Sequence, residues 1–200
     1  MKMKRNYFYR FFRGLLRPFF YLKYRMIYKG VENVPAEGAY ILASNHREAI
    51  DPIFISVGLK REVQYMAKEE LFQKKFIAKF LLKLGAFPVD RGKADRGAIK
   101  HFEDVLSSGY LMGIFIEGTR SKTDDFLPPK NGASLIAYDT QTPVIPVCIT
   151  HVGKRRVIHY GKPLSMTDMG FDKGGAREFR GASRIIMDRI KALREQDMNG

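Results

Sequence analysis

Between Gly38 and Gly161 short apolar runs alternate with segments of helical spacing, and this order limits the fold more than any single motif does. "AYILAS" leads into a helix from about Ile50, "EVQYMA" into "EELFQKKFIAKFLLKLG", and "AFPV" into "ADRGAIKHFEDVLSSG". A further cycle reads "YLMGIFI", a loop and the helix-like "GASLIAYDT"; "PVIPVCI", "RRVIHYG" and a charged helix from about Gly175 to Glu195 follow. Strands alternating with helices predict an α/β fold, a mainly parallel central sheet flanked by helices on both faces. Ligands of such sheets gather beyond the carboxyl ends of the strands. Three loops lie just past a predicted strand: "SNHREAID", "VDRG" and "EGTRS".

The first 29 residues stand apart. They carry nine Lys or Arg, no acid, and ten of the 25 aromatic residues; the first carboxylate is Glu32. Phe8, Phe11, Phe12, Leu15, Leu16 and Phe19 recur at steps of three and four, with Arg10, Arg13 and Arg17 on the other side, the pattern of an amphipathic basic helix. Pro18 removes an amide and crowds the carbonyl of Gly14, which predicts a bent helix or a helix pair. No apolar run reaches the ~18 to 20 residues that cross a bilayer, and no signal-peptide core is present. The expectation is an amphipathic membrane-interface element over residues 1–29, a helix or a bent helix pair, followed by an α/β domain over 30–200. A helix packed on the core and a nucleic-acid-binding arm are other readings of the same residues.

The formal net charge of +14 calls for polyanionic company: nucleic acid, anionic headgroups or a phosphorylated substrate. The single cysteine, Cys148, excludes an intrachain disulfide framework and a multi-cysteine zinc site, and fits a reducing, cytosol-facing location. No metal site is expected, because "HRE" lacks the downstream cysteine pair of a zinc deaminase and H-E-x-x-H is absent.

His46 and Asp51 suit acid–base chemistry. A neutral imidazole accepts a proton near neutral pH, and a carboxylate on its other nitrogen fixes the tautomer. Five residues apart they would diverge by about 140° on an ideal helix, so they meet only across a turn or a helix start. No G-x-S-x-G elbow supplies a nucleophile, which leaves a hydroxyl brought by the substrate. Arg91 and Arg120 are read as a bidentate clamp on phosphate with Thr119 as an added donor; Glu117 is read as orienting Arg120 or bonding a substrate hydroxyl.

These blocks together resemble the glycerolipid acyltransferase family. "NHREAID" matches its N-H-x-x-x-x-D box, "GAFPVDRG" its second block, "FIEGTRS" its third and "VIPVCI" its fourth, while "PPKNGA" is similar to the K-x-G turn after the third. The chain departs from the pattern at Ile116, where proline is common, and at Ile145 before Pro146; Arg47 and Glu48 fill variable positions of the first box. The resemblance implies transfer of a fatty acyl group to the free hydroxyl of 1-acyl-sn-glycerol-3-phosphate, giving phosphatidic acid. It assigns His46 as general base and Asp51 as its partner. It places Glu117, Gly118 and Arg120 at the acceptor, with Arg91 at its phosphate, and Lys130 and Gly132 at the oxyanion. It also implies no cofactor, acyl-CoA or acyl carrier protein as co-substrate, a lysophospholipid acceptor, and a peripheral or monotopic position on the cytoplasmic face of an anionic membrane. Nucleic acid is not an expected partner. Acylation of another lysolipid, or a catalytically silent membrane-binding protein, are the alternatives.

Overall fold

The computed structural model describes residues 6–89 and 96–199. Seven strands form one sheet in the order β1-β7-β6-β2-β5-β3-β4. In chain order they are β1 (Met26–Lys29), β2 (Tyr40–Ser44), β3 (Val63–Lys68), β4 (Ala86–Val89), β5 (Leu111–Phe115), β6 (Val144–Val152) and β7 (Arg155–Tyr160). Every pairing is parallel except β6 with β7. The helices are α1 (Tyr7–Tyr24), α2 (Asp51–Gly58), α3 (Lys75–Lys83), α4 (Arg96–Ser107), α5 (Gly132–Thr140) and α6 (Ala176–Asn199).

The period of two along each strand splits the core into two layers. Ile41, Met112, Ile114, Val144 and Cys148 face α4, α5 and α6, which supply Phe102, Ile136, Ile186 and Ile190. Leu42, Leu111, Ile145, Val147 and Ile149 face α1 and α2, which supply Phe20, Phe54 and Ile55. Cys148 is thus a packed core thiol, and burial pushes it up to about 12.

Three features depart from the sequence expectation. Residues 26–29 form β1, paired in parallel with β7, so the first 29 residues contribute a strand to the sheet as well as a helix. α1 is one helix through Pro18 and not a helix pair. It does not restart there because Leu16, Phe20 and Tyr24, on either side of the proline, pack on the same core layer and hold the helix across the lost bond. The run 69–85 divides into a 3₁₀ turn, Glu69–Phe72, and α3, because Lys74 is extended at φ −89° and ψ 114°.

Candidate active site

The register of two neighbouring strands builds the centre. Ser44 of β2 pairs with Phe115 of β5, so the chains leaving the sheet bring residue 46 opposite residue 117. Glu117 is buried, at 2% exposure. Its carboxylate accepts the amide of His46 at 3.0 Å through one oxygen and that of Leu127 at 2.9 Å through the other. Burial pushes the Glu117 carboxyl above the ordinary carboxylate value, against the pull of those two amides. Ser121 closes the other side: its amide donates to the His46 carbonyl at 2.8 Å. On the far flank the Asn45 side chain exchanges two bonds with the backbone of Ile149 in β6, at 2.8 and 3.0 Å. The backbone around His46 is therefore fixed by bonds to the chain leaving β5 on one side and to the backbone of β6 on the other.

The imidazole meets Asp51 as the spacing required. Residues 46–50 turn, Asp51 opens α2 with Pro52 behind it, and His46 Nδ1 lies 2.9 Å from Asp51 Oδ2. That oxygen also accepts the amides of Arg47 at 2.7 Å and Glu48 at 2.8 Å. Asp51 is fully buried. A carboxylate with three converging donors holds Nδ1 protonated and leaves the Nε2 lone pair for a proton. The ring stacks on Phe115 at 3.8 Å between centroids, and Phe115 on Tyr65 at 6.0 Å. Gly113 makes room for that Tyr65 ring, since a Cβ there would sit 2.0 Å from it.

Two unlike clefts flank this centre. A polar one of about 500 Å³ is lined by Arg47, Glu48, Thr119, Arg120, Ser121, Lys122 and His151. An apolar one of about 240 Å³ is lined by His46, Met66, Val89, Ile114, Phe115 and Gly118. In the polar cleft Arg47 pairs with Asp124, and Glu48 lies 3.3 Å from Arg156 and 3.7 Å from His151 Nε2. Burial, reinforced by the Arg156 and Arg47 guanidiniums, lowers His151 to about 4, so its ring is neutral at pH 7.

The expected residues divide into groups. His46 and Asp51 are in contact, and Thr119 and Arg120 are exposed in the polar cleft. Glu117 is turned inward by the strand register, and its two carboxylate oxygens accept the amides of His46 and Leu127. Gly118 has φ +70°, and Lys130 lies along it, 3.1 Å from where a Cβ would stand. Gly132 starts α5. Arg91 lies outside the described residues. Phe115, Ser121, His151 and Arg156 were not singled out as site residues by the sequence. Ser121, the last letter of "EGTRS", carried a signal; the others are brought in by pairings distant in the chain.

A histidine paired with a buried carboxylate at the carboxyl ends of a parallel sheet, beside a polar cleft and an apolar one, is an arrangement suited to acid–base chemistry. The acyltransferase family model matches residues 25–150, more than half of the chain, and the chain belongs to that family of O-acyltransferases. Among its relatives is the 1-acyl-sn-glycerol-3-phosphate acyltransferase of Bacillus subtilis, 36% identical over 172 residues that cover 81% of this chain and 84% of that protein. The protein of the same name from Streptococcus pneumoniae is 30% identical over 153 residues, 71% of this chain and 56% of its own length. The crystal structure of the 1-acyl-sn-glycerophosphate (LPA) acyltransferase PlsC from Thermotoga maritima superposes with a TM-score of 0.74 over 98% of this chain and 83% of that one. At 21% identity it shows the shared fold.

Proposed function

We propose that the chain moves a fatty acyl group from a thioester of coenzyme A or acyl carrier protein to the free hydroxyl of 1-acyl-sn-glycerol-3-phosphate, yielding phosphatidic acid for phospholipid synthesis. The observation that carries this reading is the His46–Asp51 contact of 2.9 Å, with His46 lining the apolar cleft and the next residues, Arg47 and Glu48, lining the polar one. The relatives' names agree with it. His46 Nε2 takes the hydroxyl proton as the oxygen attacks the thioester carbonyl; a C–O bond forms and the carbonyl π pair moves to oxygen. Collapse of that oxyanion breaks the C–S bond, and the imidazolium returns its proton to the thiolate. No acyl-enzyme is required.

The polar cleft receives the acceptor phosphate on Arg120 and Thr119, with Arg91 as a second guanidinium in this reading. The apolar cleft takes the reacting end of the acyl chain, and Lys130 with the start of α5 at Gly132 supports the oxyanion. α1 lies on the cytoplasmic face of an anionic membrane, its exposed Tyr7, Phe11 and Phe19 inserted and Arg10, Arg17 and Lys23 among the headgroups. No described helix is long and apolar enough to cross a membrane.

Thiol release from acyl-CoA and acyl carrier protein, measured against a panel of lysolipids, tests the assignment. Release confined to reactions containing 1-acyl-sn-glycerol-3-phosphate supports it, and release only with another lysolipid reassigns the acceptor. Arg120→Ala is expected to raise KM for the phosphorylated acceptor by about tenfold or more, the weight of a charge-assisted bond of roughly 1.5 to 3 kcal/mol. An unchanged KM would contradict the clamp.

A further inference from the structure

α3 is an unusual helix for a folded domain. Its nine residues include Phe76, Ile77, Phe80, Leu81 and Leu82, yet none of them is buried. Phe76 is 92% exposed, and Leu71 in the preceding turn and Leu82 are more than half exposed. A helix of this length is marginal in water without a covered apolar face. Both core layers lie elsewhere and contain no residue of α3.

Ring contacts and a hydrogen bond tie α3 to α1. The Phe80 ring sits 6.1 Å from Phe8 and 5.3 Å from Phe12, and Phe12 is 5.7 Å from Phe11. The side chain of Asn6, which caps the start of α1, donates to the carbonyl of Lys83 at the end of α3 at 2.8 Å. Phe11 belongs to an outward stripe on α1 with Tyr7, Leu15, Phe19 and Leu22. The ring contacts Phe11–Phe12–Phe80 therefore make one continuous apolar surface from two helices separated by fifty residues of chain.

The charges around this surface select its occupant. From Leu71 to Val89 there are four lysines, Lys74, Lys75, Lys79 and Lys83, and no carboxylate. All four lysines are exposed. Glu69 and Glu70 lie only at the start of the 3₁₀ turn, where Glu70 pairs with Lys68 at 3.7 Å. α1 adds exposed Arg10, Arg17 and Lys23. Aromatic and aliphatic tips ringed by cations match an anionic lipid surface, which accepts both together; a second copy of this surface would set cation against cation.

We infer that α3 and the turn before it form a second membrane-docking element, which with α1 seats the enzyme on anionic lipid through two helices. This rests on the peripheral position given to α1 above. The turn and α3 leave the sheet at the carboxyl end of β3, whose Met66 lines the apolar cleft beside His46. A bilayer touching both helices thus meets the enzyme beside the cleft that takes the acyl chain.

The test is co-sedimentation of the full chain with phosphatidylcholine vesicles with and without phosphatidylglycerol, for wild type, Phe76→Glu and Phe11→Glu. Wild type is expected to bind the anionic vesicles, and Phe76→Glu to weaken that binding about tenfold or more. Its fold by circular dichroism and its turnover of short-chain substrates in detergent should be retained, since Phe76 lies outside the active site. Phe76→Glu binding like wild type while Phe11→Glu does not would overturn the role of α3 and leave the α1 anchor standing. Wild type remaining in the supernatant would overturn both. If sedimentation equilibrium shows a dimer that Phe76→Glu dissociates while vesicle binding is unaltered, a second copy covers the surface and the inference fails.

Discussion

His46 is held at three points: its amide by Glu117, its carbonyl by Ser121 and its Nδ1 by Asp51. Such restraint keeps the ring within the narrow geometry that proton transfer needs. Within the third block Glu117 and Ser121 bond the backbone of His46, while Thr119 and Arg120 face the polar cleft. His151 offers a test at this scale. Its folded pKa of about 4 lies below the ordinary 6.5, so as pH falls the unfolded chain takes up the proton first. The neutral ring contributes stability that is complete above the ordinary value and lost as pH drops toward the folded one. Denaturant unfolding of wild type and His151→Gln through this window should show their difference shrinking with acid; a difference independent of pH would contradict the burial of a neutral ring. The His46–Asp51 pair was legible because both members lie in one short loop whose turn the spacing demanded. The roles of Glu117 and His151 were not, since only the register of β2 against β5, and the partners of β6 across the cleft, decide what those side chains face.

At the scale of elements, the ends of the chain are fastened to each other. Asp197, fully buried on α6, meets Lys29 of β1 at 3.0 Å, His159 of β7 at 3.0 Å and Thr150 of β6 at 3.0 Å. Asp197→Asn replaces a carboxylate that accepts from three donors by an amide whose own N–H groups must face at least one of them. A loss of about 2 kcal/mol is expected in chemical denaturation, the range for bonds to a charged group. A change below ~0.5 kcal/mol would mean that the last turns of α6 are held by packing alone. α1 ends on Arg25 in the left-handed region, at φ 45° and ψ 52°, where glycine is the usual residue. Arg25→Gly is expected to leave stability unchanged or raise it by up to about 1 kcal/mol, read by thermal unfolding. Marked destabilisation would show that the Arg25 side chain does more than end the helix. The absence of glycine here also explains why β1 was hidden in the sequence: "MIYK" continues the aromatic, basic spacing of α1, and its partner strand lies more than a hundred residues away. The alternating elements from β2 to β7 were visible because each carries its own period and turn residues.

The whole molecule joins a fixed imidazole to a surface suited to lipid. The formal charge of +14 is spread so that α1 and α3 present cations around apolar tips, while the polar cleft gathers Arg47, Arg120 and Lys122 at the active centre. In the reaction proposed above both acceptor and donor are amphiphiles, and an enzyme docked on lipid meets them where they concentrate. That arrangement has catalytic meaning only if the imidazole at its centre acts as the base. The most direct measurement is thiol release from acyl-CoA in the presence of 1-acyl-sn-glycerol-3-phosphate, comparing wild type with a folded His46→Ala. Removal of a positioned general base is expected to lower kcat by about 10² to 10⁴. A His46→Ala enzyme that turns over within about tenfold of wild type would contradict the account.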